Sequence, residues 1–282
     1  MTANPSAIVY VHGISEHQPG YSDDWYTALQ PHLSQTVEKY EVLWSNIVNR
    51  MAMNGGDDAD NAARIAEEEE ELRQAVHEEL EARRSHNRQK PEVDTANNAA
   101  MAQGFAIDDF FRYMVREDTR NAILKSFDEV VVPLLSEGRT IHIIAHSWGT
   151  VVSYEGLRRL DDDGLPGRVA NLIVLGSALS FDSVQANLFG RVTNGLRPSL
   201  VDNFVNIDAG GDVVGGPIAP PFENVNEFME RVPTGCSMFW FRRLYGHPTA
   251  RNPACAHRSY FQHENTAVQR DIIAHYINPS LA

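Results

Sequence analysis

Two kinds of apolar pattern alternate along the chain. Short, nearly unbroken runs rich in β-branched residues occur at Ala7-Ile8-Val9-Tyr10-Val11, Ile141-His142-Ile143-Ile144-Ala145 and Val169 to Leu175. Runs of this length suit strands covered on both faces. Asn203 to Ile207 reads as another strand, as does Tyr40 to Ile47 through Val42, Trp44 and Ile47. Between them the apolar spacing becomes helical. Ser22 to His32 carries Trp25 and Leu29, and Asp108 to Leu135 carries Phe110, Met114, Ile123, Phe127 and Val131 over one or two helices. Thr150 to Leu160 and Gln262 to Tyr276 complete the helical set. Strands alternating with helices predict an α/β protein: a three-layer α/β/α sandwich around a mostly parallel sheet.

One stretch breaks this alternation. In residues 54–104, Asn54 to Asp58 reads as a loop, and Asp60 to about Arg84 as a charged helix containing the block Glu67 to Glu71. Its apolar stripe is narrow: Ile65, Leu72, Val76 and Leu80. Ser85 to Asn98, with Pro91, reads as a further loop. The stretch has too little apolar material for its own core, so residues 1–282 read as one domain with an acidic helical insertion. The insertion is a lid, a solvated arm, or a homodimer contact through the same four apolar residues. The narrow stripe favours the solvated arm. Further on, aromatic residues from Phe222 to Tyr245 either wall an apolar pocket or pack a long loop.

Composition narrows the classes of function. The chain has 282 residues, 43% hydrophobic and 22% charged, which is material for a large core rather than a disordered segment. The net charge of −14 repels phosphate backbones, so no nucleic-acid partner is expected. Two cysteines, Cys236 and Cys255, permit one disulfide but no framework. The first residues lack the basic and apolar regions of a signal peptide, and no apolar run nears the roughly 20 residues of a spanning helix. A cytoplasmic protein with no integral membrane segment is therefore expected. No His-Glu-x-x-His or paired-Cys motif is present, and Gly210-Gly211 and Gly215-Gly216 lack the Lys-Ser/Thr ending of a phosphate loop. No metal and no cofactor are expected.

The candidate chemistry centres on Ala145-His146-Ser147-Trp148-Gly149, between the strongest strand and the helix after it. A serine hydroxyl is a weak nucleophile until a base takes its proton, and it must stand clear of the sheet to be reached. A sharp strand-to-helix turn flanked by small residues meets the second need. The helix that follows offers unpaired N–H groups and a positive dipole end to a developing oxyanion, with the Trp148 amide as first donor. The alternative is a serine that merely caps a helix in an ordinary turn.

This segment resembles the nucleophile elbow of the α/β-hydrolase superfamily, especially its lipases and esterases, with Ala145 where the usual Gly-x-Ser-x-Gly pattern has its first glycine. His12-Gly13-Ile14, at the end of the first strand, resembles the His-Gly motif of the same enzymes. That implies the Ile14 amide as second oxyanion donor, with His12 itself structural. The resemblance implies the chain order Ser, acid, His. Gly211-Asp212-Val213-Val214 is similar to the turn that carries the acid in lipases, which points to Asp212; Asp208 and Asp182 are the rivals. His257-Arg258-Ser259-Tyr260 is similar to the His-x-x-Tyr pattern before the last helix, which points to His257, with His263 as rival. His247 lies before a proline and His275 inside the closing helix. The resemblance implies an esterase or lipase-like serine hydrolase acting through an acyl-enzyme on a small-molecule ester or lipid-like substrate. A thioesterase, an amidase or a phospholipase shares that chemistry, and a non-catalytic relative that only binds a ligand is the rival of another class.

Overall fold

Six strands, all parallel, form one open sheet in the order β2-β1-β3-β4-β5-β6. The strands are β1 (Ser6–Val11), β2 (Glu38–Val42), β3 (Thr140–His146), β4 (Val169–Leu175), β5 (Val201–Ala209) and β6 (Val225–Glu230). The structure is a computed structural model, and it describes residues 5–13, 16–47, 59–87, 108–230 and 253–278. Ile14, Cys236, His247 and the aromatic residues from Met238 to Tyr245 lie outside the described residues.

The continuous apolar runs behave as strands sealed on both sides. In β1, Ala7, Val9 and Val11 enter one core, and Ile8 and Tyr10 enter the other. The first core also takes residues from α3 (Asp108–Val115), α4 (Glu117–Ser136), α5 (Gly149–Asp162) and α6 (Asp182–Val192). The second takes Leu29 of α1 (Asp23–Leu29), and Val268, Ile272 and Ile277 of the closing helix. That closing helix runs Thr266–Val268, Gln269–Ile273 and Ala274–Ile277, the middle piece being π-helical. The result is a three-layer α/β arrangement around a parallel sheet.

Strand order decides where a site can form. From β1 the chain moves outward to β2, then returns across β1 to β3. The helices after β1 and β3 pack on opposite faces, so the carboxyl ends of these two strands form a topological switch point, the place where open α/β sheets bind ligands. His12-Gly13 and Ser147 stand at that switch point.

Three expectations need correction. The second strand ends at Val42, short of Ile47, and Ser45–Ile47 is helical. Trp44 is fully buried not as a strand residue but because its indole stacks on His12, with ring centroids 5.1 Å apart. β6 is an additional edge strand, hidden in sequence because Asn226, Glu227 and Glu230 interrupt its apolar positions. The insertion helix, α2 (Ala59–Asn87), is not a solvated arm. Leu72, Val76 and Leu80 are buried in the first core, and Arg116 Nε bonds Glu69 Oε1 at 2.5 Å. Glu79 accepts the Asp182 and Ser183 amides at 2.9 and 2.8 Å, so α2 supplies the carboxylate that caps α6. A narrow stripe suffices because polar groups complete the seat. Among the described residues, no helix is long and apolar enough to cross a membrane.

Candidate active site

Ser147 follows β3 with φ at 57°, the left-handed region that a residue with a Cβ enters at a cost of about 1–3 kcal/mol. The surrounding backbone fixes it there. Its N–H donates to Leu175 O at 3.0 Å, and its carbonyl accepts Thr150 Oγ1 at 2.6 Å and Thr150 N at 3.1 Å. The turn also needs two close approaches. A Cβ on Gly149 would lie 2.2 Å from His12 O, and one on Gly13 would lie 2.6 Å from Ser147 Cβ. Glycine at both positions lets the end of β1 press against the elbow.

The Ser147 hydroxyl is buried and makes no hydrogen bond. Among the described residues no acceptor takes the Trp148 N–H either, and it points from the start of α5. The Trp148 ring is core material, stacked on Phe110 at 3.8 Å and near Phe181 at 5.7 Å. Trp148 thus has a structural side chain and an available amide.

His12 serves the backbone. Its Nδ1 lies 2.5 Å from Gly13 O, so Nδ1 carries the proton, and Nε2 accepts the Trp44 amide at 3.3 Å. Burial, then the neighbouring His17, pull its pKa down to about 3, which keeps this ring neutral. His17 is half-buried against His12, with ring centroids 4.2 Å apart, rather than on the surface.

Asp212, in the turn after β5, and His257 are brought together from 45 positions apart in the chain. His257 Nδ1 stands 3.0 Å from Oδ1 and 2.9 Å from Oδ2 of the carboxylate. Burial alone would push the Asp212 carboxyl up. The His257 contact, the Tyr260 hydroxyl at 2.7 Å and the Val214 amide at 2.8 Å outweigh it and hold the group below its ordinary value. An ionised carboxylate only accepts, so His257 Nδ1 carries the proton and Nε2 is the basic nitrogen. His257 is in α7 (Pro253–Arg258). The residue before the serine holds it as well: His146 Nε2 donates to His257 O at 2.7 Å, and the two rings are 4.5 Å apart. Gly176, just after β4, completes the fit, since a Cβ there would stand 2.6 Å from Asp212 Oδ2 and 3.0 Å from His257 Nδ1.

Of the other candidates, Asp182 is exposed at the start of α6 and His263 and His275 are exposed. Asp208 is the penultimate residue of β5, buried, with Oδ1 lacking a hydrogen bond. Burial and the nearby Asp212 push its carboxyl up to about 8. It is not bonded to His257. No hydrogen bond joins Ser147 Oγ to His257 in this structure, although the sequence argument expects reach between them. Such bonds are commonly long in unliganded sites and tighten around substrate.

Tyr260 is a partner of Asp212 that sequence reasoning left without a task. Its hydroxyl donates to Asp212 Oδ2 and accepts the Ala209 amide at 2.8 Å. The His-x-x-Tyr pattern was the available signal. Nothing in the sequence pointed to Gly176 or His146. Among the described residues, no group of three or more His, Cys, Asp or Glu is placed to hold a metal ion. No known family model matches the chain, and comparison with curated proteins returns no significant match.

Proposed function

We propose that the protein is a serine hydrolase of the α/β-hydrolase type that cleaves a carboxylic ester through an acyl-enzyme. The observation that carries this reading is Ser147 itself, a non-glycine residue held at φ 57° between a parallel strand and a helix, with its hydroxyl unbonded. A merely capping serine has no need of that strain. In the proposed reaction, His257 Nε2 takes the proton as Ser147 Oγ attacks the ester carbonyl. The new oxyanion receives the Trp148 N–H and, on the superfamily pattern, that of Ile14; one such donor is worth about 2.7–4 kcal/mol of transition-state stabilisation. Asp212 keeps the His257 tautomer and stabilises the imidazolium. His257 then protonates the leaving alcohol, and water repeats the sequence to release the acid.

The test is turnover of soluble p-nitrophenyl esters of graded acyl length, with fluorophosphonate labelling in parallel. The wild type should label at Ser147 and hydrolyse at least one ester, and Ser147→Ala should do neither while keeping its far-UV circular dichroism. Full activity in Ser147→Ala would overturn the reading.

A further inference from the structure

Arg83 links the insertion helix to the site. Arg83, in the last turns of α2, lays its guanidinium across two loops that leave the carboxyl ends of β4 and β5. Its NH1 donates to Ser180 Oγ at 2.8 Å, Val214 O at 3.2 Å and Gly215 O at 3.3 Å, and its NH2 donates to Ser180 O at 2.5 Å. The guanidinium carbon stands 4.1 Å from the Phe181 ring centroid, a cation–π contact. Ser180 Oγ donates its own hydrogen bond to Val214 O at 2.8 Å, which ties the two loops directly.

The path from this clamp to the acid is short. Val214 receives Arg83 on its carbonyl and gives its amide to Asp212 Oδ1, and Asp212 holds His257 Nδ1. The planar fork of an arginine suits this work because it fills several acceptors in fixed directions. Charge reinforces the geometry. Arg83 faces Glu79 on its own helix, Asp182 on α6, Asp208 on β5 and Asp212 on the acid loop. Asp212 in turn faces His257 and Tyr260, and Asp208 faces Glu227 of β6. Arg83 is thus a cation that faces both buried aspartates, Asp208 at the end of β5 and Asp212 in the turn after it.

We propose that Arg83 is a positioning residue, which clamps the loop carrying Asp212 to the loop after β4, so that the docked insertion helix sets the alignment of the Asp212–His257 pair. This rests on the hydrolase reading of the same site. Arg83 touches no reacting atom, so its removal should act on the acid–base pair and not on substrate binding.

The experiment compares Arg83→Met and Arg83→Lys with wild type, using kcat and KM on the best ester and the downfield ¹H resonance of the His257 Nδ1–H. Arg83→Met should lower kcat by about tenfold or more, leave KM within about threefold, and shift or broaden that resonance. Arg83→Lys, a point charge without the fork, should recover part of the loss. In an Asp212→Asn background, Arg83→Met should cost little more, because both changes act through one carboxylate. Should Arg83→Met unfold the chain, Ser180→Ala removes one arm of the clamp and should shift the resonance in the same direction. An unchanged resonance with wild-type kcat, or full additivity with Asp212→Asn, overturns the proposal. Activity surviving in Ser147→Ala overturns the hydrolase reading instead, so the two failures are distinct.

Discussion

Tyr260 and Asp212 share a 2.7 Å hydrogen bond in which the phenol donates to Oδ2, the carboxylate oxygen that also lies 2.9 Å from His257 Nδ1. The same hydroxyl accepts the Ala209 amide, so one atom links the strand end to the acid. Tyr260→Phe deletes that link and leaves two buried groups short of a partner. The expected cost is about 1–3 kcal/mol of stability in urea unfolding. A several-fold fall in kcat should accompany it, because the carboxylate loses a donor that fixes its direction. Unaltered kcat and stability would show that Tyr260 does not position the acid.

The members of the constellation should fail together. His257→Ala should reduce kcat/KM nearly as far as Ser147→Ala, and the double variant should fall no further, since such groups act as a unit. Asp212→Asn should retain more activity. Initial rates over a range of ester concentrations, taken from the same preparations, decide it, and additive losses would count against a shared mechanism.

Gly176 offers a test that alters no titratable group. Its φ of 52° and the 2.6 Å that would separate an added Cβ from Asp212 Oδ2 make even a methyl group disruptive. Gly176→Ala should cut kcat by about 100-fold through misplacement of the Asp212–His257 pair. A Gly176→Ala protein with normal turnover would mean that the pair is not needed where it stands.

Four buried groups dominate the pH profile of stability near neutrality, and half-buried His17, also held down by burial, acts in the same direction as the histidines among them. Burial holds His12 and His146 down to about 3 and His142 to about 4, against 6.5 for an unfolded chain. Below pH 6.5 the unfolded state therefore binds more protons at these sites, and stability falls as pH drops. Burial and Asp212 raise Asp208 to about 8 from 3.8, so between those values the folded state binds the extra proton. The contribution of Asp208 is full below about pH 4 and is lost as pH rises to 8. Each group contributes a slope of about 1.4 kcal/mol per pH unit within its window. Three rising slopes against one falling slope below 6.5, and the falling slope alone above it, put the maximum near pH 6.5. Urea unfolding from pH 5 to 8.5 checks this, and Asp208→Asn should flatten the alkaline side. A wild-type curve still rising at pH 8 contradicts the assignment.

Leu80→Ala distinguishes a docked insertion from a loose one. Leu80 is buried against the first core, and its truncation should cost about 2–5 kcal/mol. A stability change near zero would return the helix to solvent.

The parts legible in sequence were those where one physical signal dominates. Val169 to Leu175 is read with the bounds it has in the sheet, because a strand buried on both faces needs an unbroken apolar run. The Ser147 turn is marked by small residues between strong elements. Elsewhere two causes share one signature. Trp44 looks like a strand residue but is buried by stacking on His12, and Leu72, Val76 and Leu80 look too few to seat a helix until Glu69, Glu79 and Arg83 are counted. Polar contacts between distant segments leave no local pattern, which is why Arg83 and His146 carry no mark in the sequence.

The left-handed backbone at Ser147 has an evolutionary consequence. Glycine would occupy that conformation without the penalty a side chain incurs there. On the proposed reaction, the chain would then be sturdier at a position where chemistry forbids the exchange, and selection for stability and selection for turnover would pull against each other at this codon. In a descendant lineage released from its substrate, Ser147 should be among the first residues to drift, and glycine its favoured replacement.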